Sequence, residues 1–308
     1  MSTSTLLIAC PDRTGIVAAL SHLLAEHGGN ILDADQHAEP HPPTTAAPEA
    51  HGLNPWDPPP NTPAPTEPPF FMRLAFDRSA MTLDDAGLRA ALASLAQRYD
   101  MTWTLHDNAH PPAVVVFASK TPHCLYDLLV REAMGELPGN IKAVIANHND
   151  LRHVADHFDK PFHLVPVTPD SKPDAESKQR ELLEQYDAEL VVLARYMQVL
   201  SPDLCADLAG RCINIHHSFL PAFVGAKPYH QAKARGVKII GATAHYVTAD
   251  LDQGPIIEQD VTRVTHRDDV DALVRKGRDL ERQVLASAVR LHLQHRVLIH
   301  GNRTLVFR

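Results

Sequence analysis

Hydrophobic and polar positions along this chain follow two different patterns, and the change between them falls near residue 110. In the first part, short apolar runs alternate with segments whose apolar residues recur every three or four positions, as Ile16, Leu20 and Leu24 do. These patterns predict strands at 3–10, 30–37, 70–77 and 101–105, and helices at 14–27 and 82–98. The predicted order is therefore β-α-β-β-α-β.

Beyond Pro111-Pro112 single strands and helices alternate, which is typical of a parallel α/β sheet. The run Val114–Phe117 is apolar throughout, as expected for a strand that is buried on both faces. We predict a Rossmann-like, mostly parallel sheet with strands at 113–119, 141–147, 162–166, 190–193, 213–216, 239–247 and 256–264. Helices are predicted at 122–134, 151–158, 173–186, 202–210 and 268–292, followed by a hairpin at 296–308.

A proline-rich segment interrupts the first part, which otherwise has the order of a ferredoxin-like unit. Residues 39–69 hold twelve of the chain's 25 prolines, and their only large apolar side chains are Leu53 and Trp56. Such a segment buries too little apolar surface to offset its ordering entropy, so we predict a surface insertion in the central hairpin. A docking site for a partner that binds polyproline II ligands is the alternative. The predicted domains are residues 1–108 and residues 112–308.

Composition narrows the class of protein. The chain has 308 residues, of which 44% are hydrophobic and 21% charged, as in a soluble protein of two domains. The net charge of −8 argues against a nucleic-acid partner. The longest apolar runs are much shorter than the ~20 residues of a membrane span, and the first residues do not resemble a signal peptide. We therefore expect a cytoplasmic protein without a membrane partner.

The sequence carries no clear motif for a cofactor or a metal. Its 20 histidines include no His-Glu-x-x-His spacing, and its four cysteines lie far apart. The strand at 113–119 is followed by Lys120-Thr121-Pro122, which has no glycine to let backbone N–H groups close on a phosphate. Cys124 and Cys205 fall in helical apolar patterns that are typical of packed thiols. No metal and no cofactor is expected.

One region combines three kinds of reactive side chain. Asn214 and His216 are two residues apart on a predicted strand, so their side chains project from the same side. The next strand ends in an acidic turn, Thr248–Pro255, and both segments are expected to meet beyond the carboxyl ends of the strands. An amide, an imidazole and a carboxylate suit reaction at an acyl carbon without a covalent intermediate. From spacing alone, Asn214 and His216 could equally be satisfying buried polar groups.

The sequence segments around these residues resemble those of a known family. NIHHSFLPAFVGAKPYHQA (214–232) and GATAHYVTADLDQGPIIEQD (241–260) are similar to formyltetrahydrofolate deformylases, whose second domain has the 10-formyltetrahydrofolate-dependent formyltransferase fold. Three further stretches are similar as well: SKTPHCLYDLL (119–129), LPGNIKAVIANHNDL (137–151) and VLARYMQVLSP (192–202). The resemblance covers nearly all of 112–308. CPDRTGIVAALSHLLAEHGGNI (10–31) resembles the ACT module with which this family begins, although 39–69 is longer than the family's usual hairpin.

The resemblance implies roles for individual residues. Asn214 and His216 match the family's catalytic Asn and His, and Asp252 matches its catalytic Asp, with Asp250 as the neighbouring acid. Two segments match those that hold the pterin ring of the substrate: Arg195, Met197, Gln198 and Leu200 on one side, and Thr248, Ala249, Asp250 and Leu251 opposite. Plain core packing is the alternative for Met197 and Leu200.

The reaction that the resemblance implies is hydrolysis of 10-formyltetrahydrofolate to tetrahydrofolate and formate, which supplies formate and balances one-carbon folate pools for purine biosynthesis. One alternative is a formyltransferase that passes the formyl group to an amine such as glycinamide ribonucleotide. Those enzymes hold the phosphate with a Ser-Gly-x-Gly-Ser turn, where this chain reads Ser119–Cys124 without a glycine. The other alternative is an amino-acid-sensing protein whose second domain is inactive.

The ACT resemblance implies a first domain that regulates rather than catalyses, in a homo-oligomer. Two glycine-bearing turns are predicted to meet a small amino acid through their backbone groups: Asp12 and Gly15 before the first helix, and Gly28, Gly29 and Asn30 after it. Glycine and methionine are the effectors that the resemblance implies. The alternative is that these glycines only end the helix and turn the chain.

Overall fold

The computed structural model describes residues 2–40, 68–221 and 228–308. The chain divides into two compact units between His110 and Pro111. Most of the predicted insertion at 39–69 and of the predicted loop at 222–229 lies outside the described residues. Within the described ranges, every helix is too short or too polar to cross a lipid bilayer.

The first unit is an antiparallel sheet with two helices, in the predicted order of elements. Its elements are β1 (Thr3–Pro11), α1 (Ile16–Glu26), β2 (Asn30–Ala38), β3 (Pro69–Asp77), α2 (Asp85–Tyr99) and β4 (Thr102–Asp107). The strand order is β2-β3-β1-β4, so the two central strands are those with the longest apolar runs. Leu6, Leu20, Leu74 and Leu88 are buried together where the helices pack on the sheet.

The two strands that flank the predicted insertion are neighbours. β2 and β3 pair antiparallel, with Ala38 opposite Phe70. The backbone N–H of Glu39 donates to the carbonyl of Pro69 at 3.0 Å. The chain therefore leaves and re-enters the sheet at adjacent points, as in a hairpin.

The second unit holds a larger sheet with helices on both faces. Its first half comprises β5 (Ala113–Ala118), α3 (His123–Ala133), β6 (Asn140–Ala146), a 3₁₀ turn (Asn149–Leu151), α4 (Arg152–His157), β7 (Phe162–Leu164), α5 (Lys172–Gln185) and β8 (Leu190–Ala194). Its second half comprises α6 (Pro202–Asp207), β9 (Cys212–His216), α7 (Pro228–Arg235), β10 (Ile239–Tyr246), β11 (Ile256–Arg263), α8 (Val270–Leu293), β12 (Val297–His300) and β13 (Arg303–Val306).

The order of the large sheet places a crevice at its centre. The strands follow the order β11-β10-β9-β8-β5-β6-β7, and β5 to β9 are all parallel. The chain moves from β5 to β6 on one side and later to β8 on the other, so the direction of winding reverses at β5. In such sheets ligands bind at the carboxyl ends of the strands near this reversal.

Two features differ from the sequence prediction. Helix α7 was not predicted, because among its described side chains only Ala232 is fully buried and so its apolar pattern is weak. β10 and β11 run antiparallel to their neighbours, which places the carboxyl end of β10 at the opposite edge from that of β9. The acidic turn after β10 therefore cannot reach β9 by simple extension of the strand.

Candidate active site

The two predicted segments do meet, but by a different route from the one expected. The chain after β10 folds back toward β9 through the turn 248–254. At Gly254 an added Cβ would lie 1.7 Å from the carbonyl oxygen of Tyr246, so only glycine permits this close approach. Within the turn, Asp252 adopts a left-handed backbone conformation with φ of 57°. This strained turn directs the Asp252 carboxylate toward the β9 side chains.

Asn214, His216 and Asp252 form one cluster. His216 Nδ1 lies 3.2 Å from Asp252 Oδ2. Because a carboxylate only accepts hydrogen bonds, Nδ1 carries the hydrogen and Nε2 is the nitrogen left for chemistry. Nε2 is buried and has no hydrogen-bond partner among the described residues. The imidazole therefore presents one unsatisfied nitrogen at the site.

Asp252 is held in its ionised form. Burial by itself would raise the pKa of this carboxyl group, but the hydrogen bond from His216 Nδ1 and the nearby His245 ring, 3.7 Å away, outweigh it. The pKa of Asp252 is therefore well below its ordinary value. A carboxylate with a depressed pKa is a weak base, and it suits an orienting and charge-stabilising role more than removal of a proton from water.

His245, which is not among the predicted site residues, completes the cluster. It lies directly opposite Asn214 in the β9–β10 ladder and is 2% exposed. Its Nδ1 donates to the Tyr246 carbonyl at 2.9 Å, so Nε2 accepts from Asn214 Nδ2 at 3.2 Å. The second hydrogen of the Asn214 amide stays available to another acceptor. A signal was present: His245 is the one residue of β10 whose side chain can be charged near neutral pH.

A cleft that is open to solvent lies beside this cluster. Asn214, His245 and Asp252 line one side of it. Five of the predicted pterin-binding residues also line it, namely Gln198, Leu200, Thr248, Ala249 and Leu251. Leu200 is also part of the core, since it is 7% exposed and packs in the adjacent apolar cluster. Both interpretations of this residue therefore apply.

Three predicted pterin-binding residues do not line the cleft. Met197 is 60% exposed, so core packing does not account for it. Asp250 is exposed at the surface of the turn. The side chain of Arg195 lies instead in a second polar cluster, 3.5 Å from Glu281 and 2.6 Å from His217. Arg195 and Met197 both have positive φ angles, near 60°, so the backbone after β8 is as strained as that around Asp252.

This second cluster contains the described residues that come closest to a metal-ligand set. Ligand atoms of His123, Cys124 and Glu281 lie within 4.8 Å of one another. Burial and the Glu281 charge raise the pKa of the Cys124 thiol well above its ordinary value, which disfavours a thiolate ligand. Glu281 is already compensated by His123 and Arg195. The chemistry of the set fits a buried ion cluster better than a metal centre.

The predicted effector-binding turns lie at opposite ends of α1. Gly15 precedes the helix with φ of 96°, and Gly28 follows it with φ of 77°. Eleven helical residues separate the two turns by roughly 16 Å. Asp12 donates its backbone N–H to Pro68, Gly29 donates to Leu24, and Asn30 begins β2. The residues therefore form two separate turns rather than one pocket within the unit.

Comparisons with known proteins identify both units. Family models match the chain as a formyl transferase over residues 113–289 and as an ACT domain over residues 4–47. A formyltetrahydrofolate deformylase of Synechocystis sp. is 48% identical over 99% of this chain and 98% of its own length. The crystal structure of a formyltetrahydrofolate deformylase from Pseudomonas syringae pv. tomato aligns with a TM-score of 0.88 at 47% identity, covering 100% of this chain and 95% of that one.

A more distant match is limited to part of the chain. Glycinamide ribonucleotide transformylase 1 from Symbiobacterium toebii aligns with a TM-score of 0.61 at 30% identity, covering 67% of this chain and 98% of that one. The match over both units at nearly half identity confirms the predicted fold class and the predicted resemblance. The chain belongs to the formyltetrahydrofolate deformylase family.

Proposed function

We propose that this protein is an enzyme that hydrolyses 10-formyltetrahydrofolate to tetrahydrofolate and formate. The observation that carries the proposal is the meeting of Asn214, His216 and Asp252 beside a cleft, in a chain of this family. The three residues supply an amide donor, an imidazole with one unsatisfied nitrogen and an ionised carboxylate. This set suits the attack of water on a formyl carbon.

In the proposed reaction His216 moves the proton. Its Nε2 takes a proton from water as the water oxygen bonds to the formyl carbon. The resulting imidazolium is stabilised by Asp252, whose carboxylate accepts the Nδ1–H bond. This division of roles is supported by the depressed pKa of Asp252, which leaves that group a weak base.

Asn214 acts on the tetrahedral intermediate. One hydrogen of its amide is held by His245, and the other donates to the oxyanion that forms from the formyl oxygen. His216 then gives its proton to the folate nitrogen as the carbon–nitrogen bond breaks. The products are tetrahydrofolate, whose nitrogen carries one hydrogen of the water, and formic acid, which carries the water oxygen and the other hydrogen and releases that proton to solvent to give formate.

The pterin ring occupies the cleft in this proposal. Backbone groups of Gln198 and of Thr248–Leu251 form hydrogen bonds with the polar edge of the heterocycle, while Leu200 packs against its face. Arg195 takes no part in this contact, because its side chain is committed to Glu281 and His217. The proposal needs no cofactor beyond the folate substrate.

Transfer of the formyl group to a phosphorylated amine is not favoured. α3 begins at the place where a phosphate would bind, and its N-cap residue is Pro122, which lacks an N–H group and makes no side-chain cap. His123, the first helical residue, is hydrogen-bonded to Glu281 at 2.8 Å, so it is not available to an incoming anion. Lys120 is the one exposed cation in this turn. Water is therefore the proposed acceptor.

A product analysis tests the proposal. The purified protein is incubated with 10-formyltetrahydrofolate, with and without glycinamide ribonucleotide, and formate and formylated ribonucleotide are both measured. We expect formate at the same rate in both reactions. Formylated ribonucleotide as the main product, or no turnover of the folate, would contradict the proposal.

We also infer that the first unit binds a small amino acid that regulates the second. The ACT match supports this inference, and the turns around Gly15 and Gly28 are the predicted points of contact. Glycine and methionine are the ligands to test, by calorimetry and by their effect on formate release. If neither one binds nor changes the rate, the regulatory assignment is wrong.

A further inference from the structure

A second polar cluster is buried at the carboxyl ends of β5, β8 and β9, and the proposed reaction does not use it. Its centre is the carboxylate of Glu281, which projects from α8 with a side chain only 2% exposed. His123 donates to it at 2.8 Å and Tyr229 at 2.9 Å. Arg195 Nε makes an ion pair with it at 3.5 Å. A buried carboxylate is costly unless it is compensated in this way.

The surrounding chain is shaped to hold this cluster. Gly277 lies one helical turn before Glu281 on α8. A Cβ at this position would lie 1.9 Å from the Tyr229 hydroxyl oxygen, so the missing side chain lets Tyr229 reach Glu281. Glycine inside a helix costs about 1 kcal/mol relative to alanine, and here it makes room for a hydrogen bond to a buried charge.

The cluster extends from Glu281 to the neighbour of the proposed catalytic histidine. Arg195 Nη1 lies 2.6 Å from His217 Nδ1. A guanidinium group has no acceptor, so it donates this bond and His217 Nδ1 carries no hydrogen. Burial, followed by the charge of Arg195, lowers the pKa of His217 to about 4. His217 is therefore a neutral ring with its hydrogen on Nε2.

His217 in turn lies against His216. The two rings are stacked, with centroids 5.0 Å apart and planes 26° apart. Asp252 fixes His216 at Nδ1, and His217 packs on its face. Two contacts from different directions therefore set the orientation of the His216 ring, and with it the direction of Nε2.

We propose that Arg195, anchored by Glu281, is a positioning residue for the hydrolysis, because it holds the His217 ring against which His216 is aligned. This inference rests on the proposed function. Neither Arg195 nor Glu281 touches the reacting atoms; both act through His217. Misalignment of a reacting group by about 1 Å can cost as much as 10²-fold in rate, so the positioning should appear in kcat.

The kinetic test compares matched variants. Glu281→Gln keeps the size of the side chain but removes the charge that anchors Arg195, and Arg195→Met removes the donor to His217. We expect each to lower kcat roughly ten- to a hundredfold with KM little changed. Arg195→Lys, which keeps a donor and a charge, should restore part of kcat relative to Arg195→Met.

Glu132→Gln is the control for loss of a partly buried carboxylate. Glu132 lies at the far end of α3, where it pairs with Lys160 and accepts from the backbone of Ile141. This variant should lose stability without losing kcat. Thermal unfolding of every variant shows whether it is folded at the assay temperature.

A spectroscopic measurement tests the same inference independently of activity. Long-range ¹H–¹⁵N correlation spectra of the wild-type protein, assigned with His217→Phe, report which ring nitrogens of His217 carry hydrogen. We expect a neutral His217 protonated at Nε2 in the wild type and a changed pattern in Arg195→Met. A wild-type His217 that is protonated at Nδ1 overturns the inference, and so does unchanged kcat in folded Glu281→Gln. Absence of formate release by the wild type would instead refute the proposed function, and the spectra would still decide the geometry.

Discussion

The two units of this chain keep their polar groups in different places. Among the described residues of the first unit few polar side chains are buried, and Arg73, the one charged group among them, pairs with a half-exposed Asp33 at 2.7 Å. In the second unit His216, His245 and Glu281 are each buried at the centre of a hydrogen-bonded cluster. Burying such groups costs free energy that apolar residues would not. Such groups stay buried only where their hydrogen bonds offset that cost, and the proposed chemistry lies among the clusters of the second unit.

Backbone strain shows the same contrast. In the first unit the left-handed residues lie at helix ends, at Gly15, Gly28 and Asp100, where such a conformation ends or begins a helix. In the second unit Asp159, Asp187 and His295 also adopt it just after helices, whereas Arg195, Met197 and Asp252 adopt it away from any helix end, around the cleft or the clusters beside it. Strain of this kind persists where the surroundings hold it in place.

Replacing His216 or Asp252, which handle the proton in the proposed reaction, should have the largest effect on activity and so test most directly whether the chemistry belongs to the second unit. We expect His216→Ala and Asp252→Asn each to lower formate release by roughly 10²–10⁴-fold, because each removes a general acid–base group or its partner. The measurement is steady-state formate production by protein that circular dichroism shows to be folded. Asp174→Asn, on an exposed turn of α5, is the matched carboxylate control. Near-normal turnover in Asp252→Asn, with loss in Asp250→Asn, would reassign the acid.

Removal of the amide donor should have the next largest effect. Asn214→Ala is expected to lower kcat on the order of 10²–10³-fold, since it removes one donor to the oxyanion. KM should change little, because the donor acts mainly on the transition state. A variant with unchanged kcat and raised KM would show that Asn214 binds the substrate instead.

Acid should destabilise the second unit through His217. The pKa of His217 is about 4 in the folded protein, against an ordinary value of 6.5. Above pH 6.5 the ring is neutral in both states and contributes nothing to the pH dependence. Between pH 6.5 and 4 only the unfolded chain binds the proton, so the free energy of unfolding falls by up to about 1.4 kcal/mol per pH unit.

Urea unfolding at pH 7 and pH 5 measures this effect. His217→Phe lacks the titrating ring, so it should lose less stability between the two pH values than the wild type does. An equal loss in both proteins would show that other groups dominate the acid response.

A change at Gly28 should affect the first unit alone. An added Cβ would lie 2.5 Å from the carbonyl oxygen of Ala80, in a backbone with φ of 77°. Gly28→Ala is expected to destabilise this unit by roughly 1–3 kcal/mol, and to weaken any response to glycine or methionine. Gly135→Ala shares the positive φ but meets no atom within 4 Å, so it isolates the cost of the clash. Equal melting temperatures in the two variants would contradict the expectation.

Shortening the insertion should have the smallest effect. Ala38 and Phe70 are already paired, so a short glycine-containing turn can replace residues 41–67. Formate release should be unchanged, because loop length contributes little to the free energy of folding. Loss of soluble protein would show that the segment packs against the body of the protein.

The sequence by itself determined the order of elements and which residues to suspect. Apolar periodicity depends on neighbours within one helix turn or one strand, so it predicted β1 to β4 and the alternation that begins at β5. The sequence motifs around Asn214, His216 and Asp252 predicted the family. The structure brings these three residues together, and their roles in catalysis remain predictions.

Tertiary structure decided how distant parts of the chain meet. The antiparallel direction of β10 set His245 opposite Asn214, and the fold of the turn at Asp252 closed the cluster. The side chain of Arg195 pairs with Glu281 instead of lining the predicted pterin site. His123 is hydrogen-bonded to the same carboxylate, although 158 positions of sequence separate the two residues. Such contacts carry no local period, since each depends on which strands become neighbours in the sheet. A sequence pattern records what each segment can form, and only the packed fold determines which side chains share a buried charge.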